Sequence, residues 1–148
     1  MGLLGRKKLL EKEKLEVVKV DLGKDESGEE IFVYVKQMTG RERDVFERSL
    51  TKEKRDIKGK IVDYEQNLED FRAKLAVRTV CDENGVLLLD AKDYLLLSQN
   101  MSAAKLEVII NKAQELNKIS TEDKEALIKN LEADPDGNFN SGFAENLE

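Results

Sequence analysis

Asp134, Asp136, Asn138, Asn140, Gly142 and Glu145 fall at positions 1, 3, 5, 7, 9 and 12 of a twelve-residue window. That is the spacing at which the oxygens of an EF-hand loop wrap one calcium ion. The window fails where sterics decide: Phe139 stands at position 6, where the sharp turn requires Gly, and Ser141 at position 8. Three residues after Glu145 leave no room for an exiting helix, so no metal site is assigned. A second acidic group, Asp21, Asp25, Glu26, Glu29 and Glu30, lies on and around a polar loop. Paired carboxylates perform acid–base work when their environments differ, but on so polar a loop these read as solvated. Lys52, Lys54, Arg55, Lys58 and Lys60 could touch phosphates, yet Glu53 and Asp56 dilute them and no aromatic is interleaved, which argues against nucleic acid.

The chain has no histidine. Ser-His-Asp triads, Cys-His dyads and most zinc sites are therefore excluded. The single cysteine, Cys81, has no imidazole to activate it and reads as a small half-buried hydrophobe. Gly2, Gly5, Gly23 and Gly28 lack the strand-to-helix setting and the GK[ST] ending of a phosphate loop. No catalytic, cofactor-binding or metal-ligating residue is assigned, and the expectation shifts from enzyme to binding or assembly protein.

Composition agrees with that shift. The 148 residues carry 25 Lys+Arg against 31 Asp+Glu, a net charge of −6. An acidic balance disfavours a general nucleic-acid binder, which needs clustered cations to release counterions. No apolar run approaches the ~20 residues that span a bilayer, so no membrane partner is expected. With 40% hydrophobic and 38% charged residues, a modest core beneath a densely ionic surface is expected.

Three regions follow from charge and pattern. Residues 1–14 form a basic arm, with Arg6, Lys7, Lys8, Lys12 and Lys14 among Leu3, Leu4, Leu9 and Leu10. Residues 15–132 read as one α+β domain, and 133–148 as an acidic flexible tail without a basic residue. Within the domain, Val18, Val20 and Leu22, then Ile31, Val33 and Val35, alternate with polar residues and predict a β-hairpin. Thr39 and Glu42 have the spacing of a capping box, predicting a helix over 40–50. Thr51–Lys60 reads as a break or an exposed helical continuation. Ile57, Ile61, Tyr64, Leu68, Phe71 and Leu75, at steps of 4, 3, 4, 3 and 4, predict an amphipathic helix that packs on the sheet or pairs with another helix. Val77–Cys81 and Val86–Leu89, joined at Asn84-Gly85, predict a second hairpin with a type I′ turn. Asp90 caps a short helix over 91–99. Ser102 caps a longer one carrying Leu106, Ile109, Ile110, Ala113 and Leu116, with Asn117 in the left-handed position that ends it. Ser120 caps a last helix, with Ala126, Leu127 and Leu131 facing inward, and Pro135 stops it. The expectation is two small β-hairpins packed against four or five α-helices.

Two blocks of this order are distinctive: Thr39-Gly40-Arg41-Glu42-Arg43-Asp44 with Phe46-Glu47, and Ala113-Gln114-Glu115-Leu116-Asn117 followed by Ser120, Asp123 and Lys129-Asn130. With Phe71–Leu75 and the Asp82–Gly85 turn between them, the chain over roughly residues 16–131 resembles the tail assembly chaperones of long-tailed bacteriophages and prophages. The resemblance implies a non-enzymatic protein of the host bacterial cytoplasm, absent from the mature virion. It implies binding of the tape measure protein, formation of a homo-oligomer and contact with other tail proteins. The charged insert Thr51–Lys60 and the basic first arm depart from the family pattern. The competing reading is a virion structural protein of the tail, a completion or neck component.

Overall fold

The computed structural model describes residues 1–119. The expected Ser120 helix and the Asp134–Glu145 window lie outside these residues. The architecture is α+β, as the sequence predicts, with five α-helices and two small antiparallel sheets among the described residues.

The first hairpin forms where alternation places it. Strands β1 (Val17–Lys24) and β2 (Glu30–Lys36) pair antiparallel, with Val18 opposite Val35 and Val20 opposite Val33. Because side chains alternate faces along a strand, Val20 and Val35 turn into the core, where both are buried. Helix α2 (Gly40–Arg48) then starts at the expected capping box. The Thr39 hydroxyl accepts the Glu42 N–H at 3.2 Å, and the Glu42 carboxylate accepts the Thr39 N–H at 3.0 Å.

The Ile57–Leu75 stripe is not one helix. Thr51–Arg55 forms β3 and Ile61–Gln66 forms β4, paired antiparallel as a second sheet. Helix α3 begins only at Phe71 and runs to Thr79. The turn between the strands gives the physical reason. The Asp56 carboxylate accepts the N–H groups of Lys58 and Lys60, both at 2.9 Å, and Gly59 takes a φ of 83°. A side-chain acceptor at the turn's first residue and a glycine at its left-handed position fix a reversal, which outweighs apolar spacing.

The same turn occurs three times. The Asp25 carboxylate accepts the N–H groups of Ser27 and Glu29, and the Asp82 carboxylate those of Asn84 and Val86. In each case the glycine three residues after the aspartate donates to the aspartate carbonyl at 3.0 Å. The third turn is therefore not type I′: of its two central residues neither has positive φ, and Gly85 alone does. The strands it joins are shorter than expected. Val77–Thr79 completes α3, leaving Val80–Cys81 as β5, and the return contributes a single bridge from Leu87 to Cys81. β5 pairs with β2, giving the sheet order β1-β2-β5.

Helix α3 is the centre of the domain. Phe71, Ala73, Leu75, Ala76, Val77 and Thr79 are all buried on it. Its β-branched end stays helical because burial there outweighs propensity; the Thr79 hydroxyl donates to the Leu75 carbonyl at 2.8 Å, so no polar group is stranded. Phe71 meets Phe46 of α2 edge-on, at 5.7 Å between ring centroids. After a single 3-10 turn (Ala91–Asp93), α4 (Tyr94–Asn100) leads to α5 (Ala103–Leu116), capped by Ser102 as expected. Leu106, Ile109, Ile110 and Ala113 of α5 are buried, and this face packs on α3, β1 and β2. Asn117 does not take the left-handed conformation; Lys118 does, at φ 55°. Residues of the first arm form only the five-residue α1 (Arg6–Leu10), with no buried residue.

Candidate functional site

The residues singled out as chemically capable are dispersed. Asp25 is committed to its own turn; the Ser27 hydroxyl and the Glu29 amide hold its carboxyl below the usual carboxylate range. Asp21 accepts the Gly23 N–H at 2.9 Å. Cys81 is buried as a free thiol, more deeply than half-buried, and burial pushes its pKa up, with Asp82 adding to the rise and Lys36 opposing it. A thiol so placed is not a nucleophile. Among the described residues, no group of His, Cys, Asp and Glu could hold a metal ion. No described helix is long and apolar enough to cross a membrane.

What the structure brings together instead is a projecting surface. The β3–β4 hairpin is tied to the body at its stem, where the Asn67 N–H donates to the Leu50 carbonyl at 2.5 Å. Beyond that, among the described residues, no other element packs substantially against it. It holds itself by charge. Lys52 lies opposite Glu65 and Lys54 opposite Asp63, and Lys54 Nζ stands 3.8 Å from Glu65. Cross-strand pairs of opposite charge each supply a few tenths of a kcal/mol, up to ~1. All five β3 residues are exposed, and so are Ile61, Val62 and Tyr64 of β4, the last two at 61% and 58%.

The stripe seen in the sequence is thus divided. Ile57 sits at the hairpin tip, Ile61 and Tyr64 on the exposed strand, and Phe71 and Leu75 in the core. The basic residues of 52–60 are the hairpin's own. Two further residues join them that spacing does not single out: Arg48 at the end of α2 and Thr51 at the start of β3. Together with Lys52, Glu53, Arg55 and Tyr64 they line an open cleft of about 690 Å³. The signal that would have found it is the Asp56-x-x-Gly59 spacing, which matches Asp25-x-x-Gly28 and Asp82-x-x-Gly85.

A second, smaller cleft of about 420 Å³ opens between α3, α4 and α5, where Leu68, Phe71, Met101, Ala103 and Leu106 line it together with Asp70 and Ser98. The Ser98 hydroxyl donates to Asp70 at 2.6 Å. Asp70 adopts a left-handed φ of 59°, a conformation that Asp tolerates better than most residues. The first cleft is lined by charged and polar side chains beside Tyr64, and the second mainly by apolar ones. Comparison with family models, curated proteins and solved structures returned no match.

Proposed function

We propose that this protein is a tail assembly chaperone of a long-tailed bacteriophage or prophage. In this reading it is a non-enzymatic protein that binds the tape measure protein in the host cytoplasm and keeps it dispersed during tail morphogenesis. The observation that supports the reading is the projecting hairpin, which carries Ile61, Val62 and Tyr64 outside a small closed core. Exposed apolar side chains rimmed by charge mark contact sites for other chains. A long helical partner exposes apolar stripes of its own, and a carrier must cover them from within a strongly charged exterior. The Ile57–Leu75 helix expected to supply that cover does not exist as such; in this reading a strand pair takes its place.

The test is co-expression with the tape measure gene of the same genome. The expected result is a soluble complex that copurifies, with tape measure protein recovered mainly in the pellet when expressed alone. Replacing Val62 and Tyr64 together by Asp is expected to abolish the complex and leave thermal stability unchanged. No complex and no gain in solubility would overturn the reading.

A further inference from the structure

We propose that the outer edge of β1 pairs with the same edge of a second copy of this chain, antiparallel and about a two-fold axis at Val20. The pairing joins the β1-β2-β5 sheets of two copies into one. It does not depend on the identity of any foreign partner.

β1 is an outer strand of its sheet, and the direction of its main-chain groups is fixed. The Gln37 N–H donates to the Glu16 carbonyl at 3.0 Å. That register continues into Val18 opposite Val35 and Val20 opposite Val33. Bonding groups alternate in direction along an antiparallel strand. Val18 and Val20 therefore turn theirs towards β2, and Val17, Lys19 and Asp21 turn theirs away. On that outer side these three make no main-chain hydrogen bond among the described residues. Such a row of N–H and C=O groups is a template for another strand. Lys19 and Asp21 are exposed, and Val18 and Leu22 are only half-buried, so apolar surface remains to be covered.

The strand complements itself in one register. Odd-numbered residues must meet odd-numbered ones for the outward groups to bond. A one-residue slip would also set Val18, Val20 and Leu22 against charges. Centring the pair on Lys19 opposes two lysines, and centring it on Asp21 opposes two aspartates, both unfavourable. Centres further out run off the start of the strand or into the bulge between Asp21 and Lys24, where Gly23 takes a φ of 90°. Centring on Val20 sets Lys19 opposite Asp21 of the second copy, and Asp21 opposite its Lys19, as an isologous contact requires. Val18, Val20 and Leu22 then meet Leu22, Val20 and Val18, which carries the apolar face across the axis. Lys19 Nζ lies 4.1 Å from the Phe32 ring centroid, and Asp21 accepts the Gly23 N–H at 2.9 Å. Neither residue is in an ion pair among the described residues. A lone edge lysine guards against pairing; one matched by an acid two residues on guards only against the wrong registers.

The experiment is sedimentation equilibrium of the full chain, with amide exchange read residue by residue by NMR over a concentration series. The expected result is a reversible dimer. At high concentration the N–H groups of Lys19 and Asp21 slow by about tenfold or more, while those of Val18 and Val20, already bonded to β2, change little. K19D and D21K each turn both attractive pairs repulsive and are expected to weaken self-association about tenfold or more. An equimolar mixture of the two is expected to dimerise as tightly as the parent, because two acids then face two bases. Both sites are exposed, and unchanged circular dichroism checks the fold; the exchange pattern needs no variant and decides the matter if either fails to fold. A monomer at every concentration, a dimer without slowed exchange at Lys19 and Asp21, single variants that dimerise as the parent does, or a mixture that stays monomeric would overturn the proposal. So would slowing at these two amides only when a foreign chain is added.

Discussion

The side-chain oxygen of Asn117 accepts the backbone N–H of Met38 at 2.6 Å, joining residues 79 positions apart. The Asn117 amide nitrogen donates to the carbonyls of Ala113 at 2.9 Å and Lys36 at 3.3 Å. Arg43 donates to the Asn117 carbonyl at 2.6 Å. One side chain therefore closes the end of α5 and binds it to the β2–α2 corner. Replacing Asn117 by Ala strands a part-buried N–H and is expected to cost about 1–3 kcal/mol, read as a lower urea midpoint at unchanged slope. Asn117→Asp keeps the acceptor and is expected to lose less.

Glu42 titrates with the fold. Burial pushes its carboxyl up, but the Thr39 N–H and the Lys36 ammonium, 2.9 Å away, outweigh burial and hold it below its ordinary value of 4.5. A depressed folded pKa stabilises the protein above the unfolded value, and that contribution fades as pH falls through the folded pKa. Glu42→Gln is expected to cost about 1 kcal/mol at neutral pH. The gap to the parent should close as pH drops below 4.5, measured by urea denaturation across that range.

Much of the fold is legible in residue types. The alternation of Val18, Val20, Ile31, Val33 and Val35, the Thr39–Glu42 box and the Ser102 cap each combine a local geometric rule with an apolar pattern that agrees with it. The failures come where two rules compete. At 57–75 the helical spacing of apolar residues is incidental, and a turn closed by Asp56 and Gly59 decides. At Val77–Thr79 β-branched residues propose a strand, but burial against α5 and the Thr79–Leu75 hydrogen bond keep the helix. The candidate cleft was half legible: Lys52 and Arg55 are visible in a charged run, whereas Arg48 comes from the end of α2 and Tyr64 from across the β3–β4 pairing.

Two glycines separate the hairpins energetically. Gly59 and Gly85 share a φ of 83°, and a Cβ in the left-handed region costs about 1–2 kcal/mol. Gly85→Ala strains a turn bound to the core through β5, and its Cβ would meet Val17 at 3.4 Å. It is expected to lower global stability by about that amount. Gly59→Ala is expected to leave the global midpoint within about 0.5 kcal/mol while amide exchange across 51–66 accelerates, because the hairpin opens without the core.

Cys81 is shielded by the fold. Its native-state modification by a neutral disulfide reagent is expected to be slower by at least about a hundredfold than in denaturant. A rate matching the unfolded chain would contradict the burial seen for this thiol.

The thrice-used aspartate turn bears on the order in which the chain acquires its shape. Each reversal is closed by partners within five residues, and loops this short form on about the 10–100 ns scale. The three can therefore be in place before distant segments meet. The search that remains is for α5 to find β2 and α2 across the interval spanned by Asn117 and Met38, and such long-range encounters govern speed. The barrier to self-organisation thus falls on such late encounters, the pairing of Val80 in β5 with Val35 in β2 among them, and not on the two hairpins whose strands are neighbours in sequence.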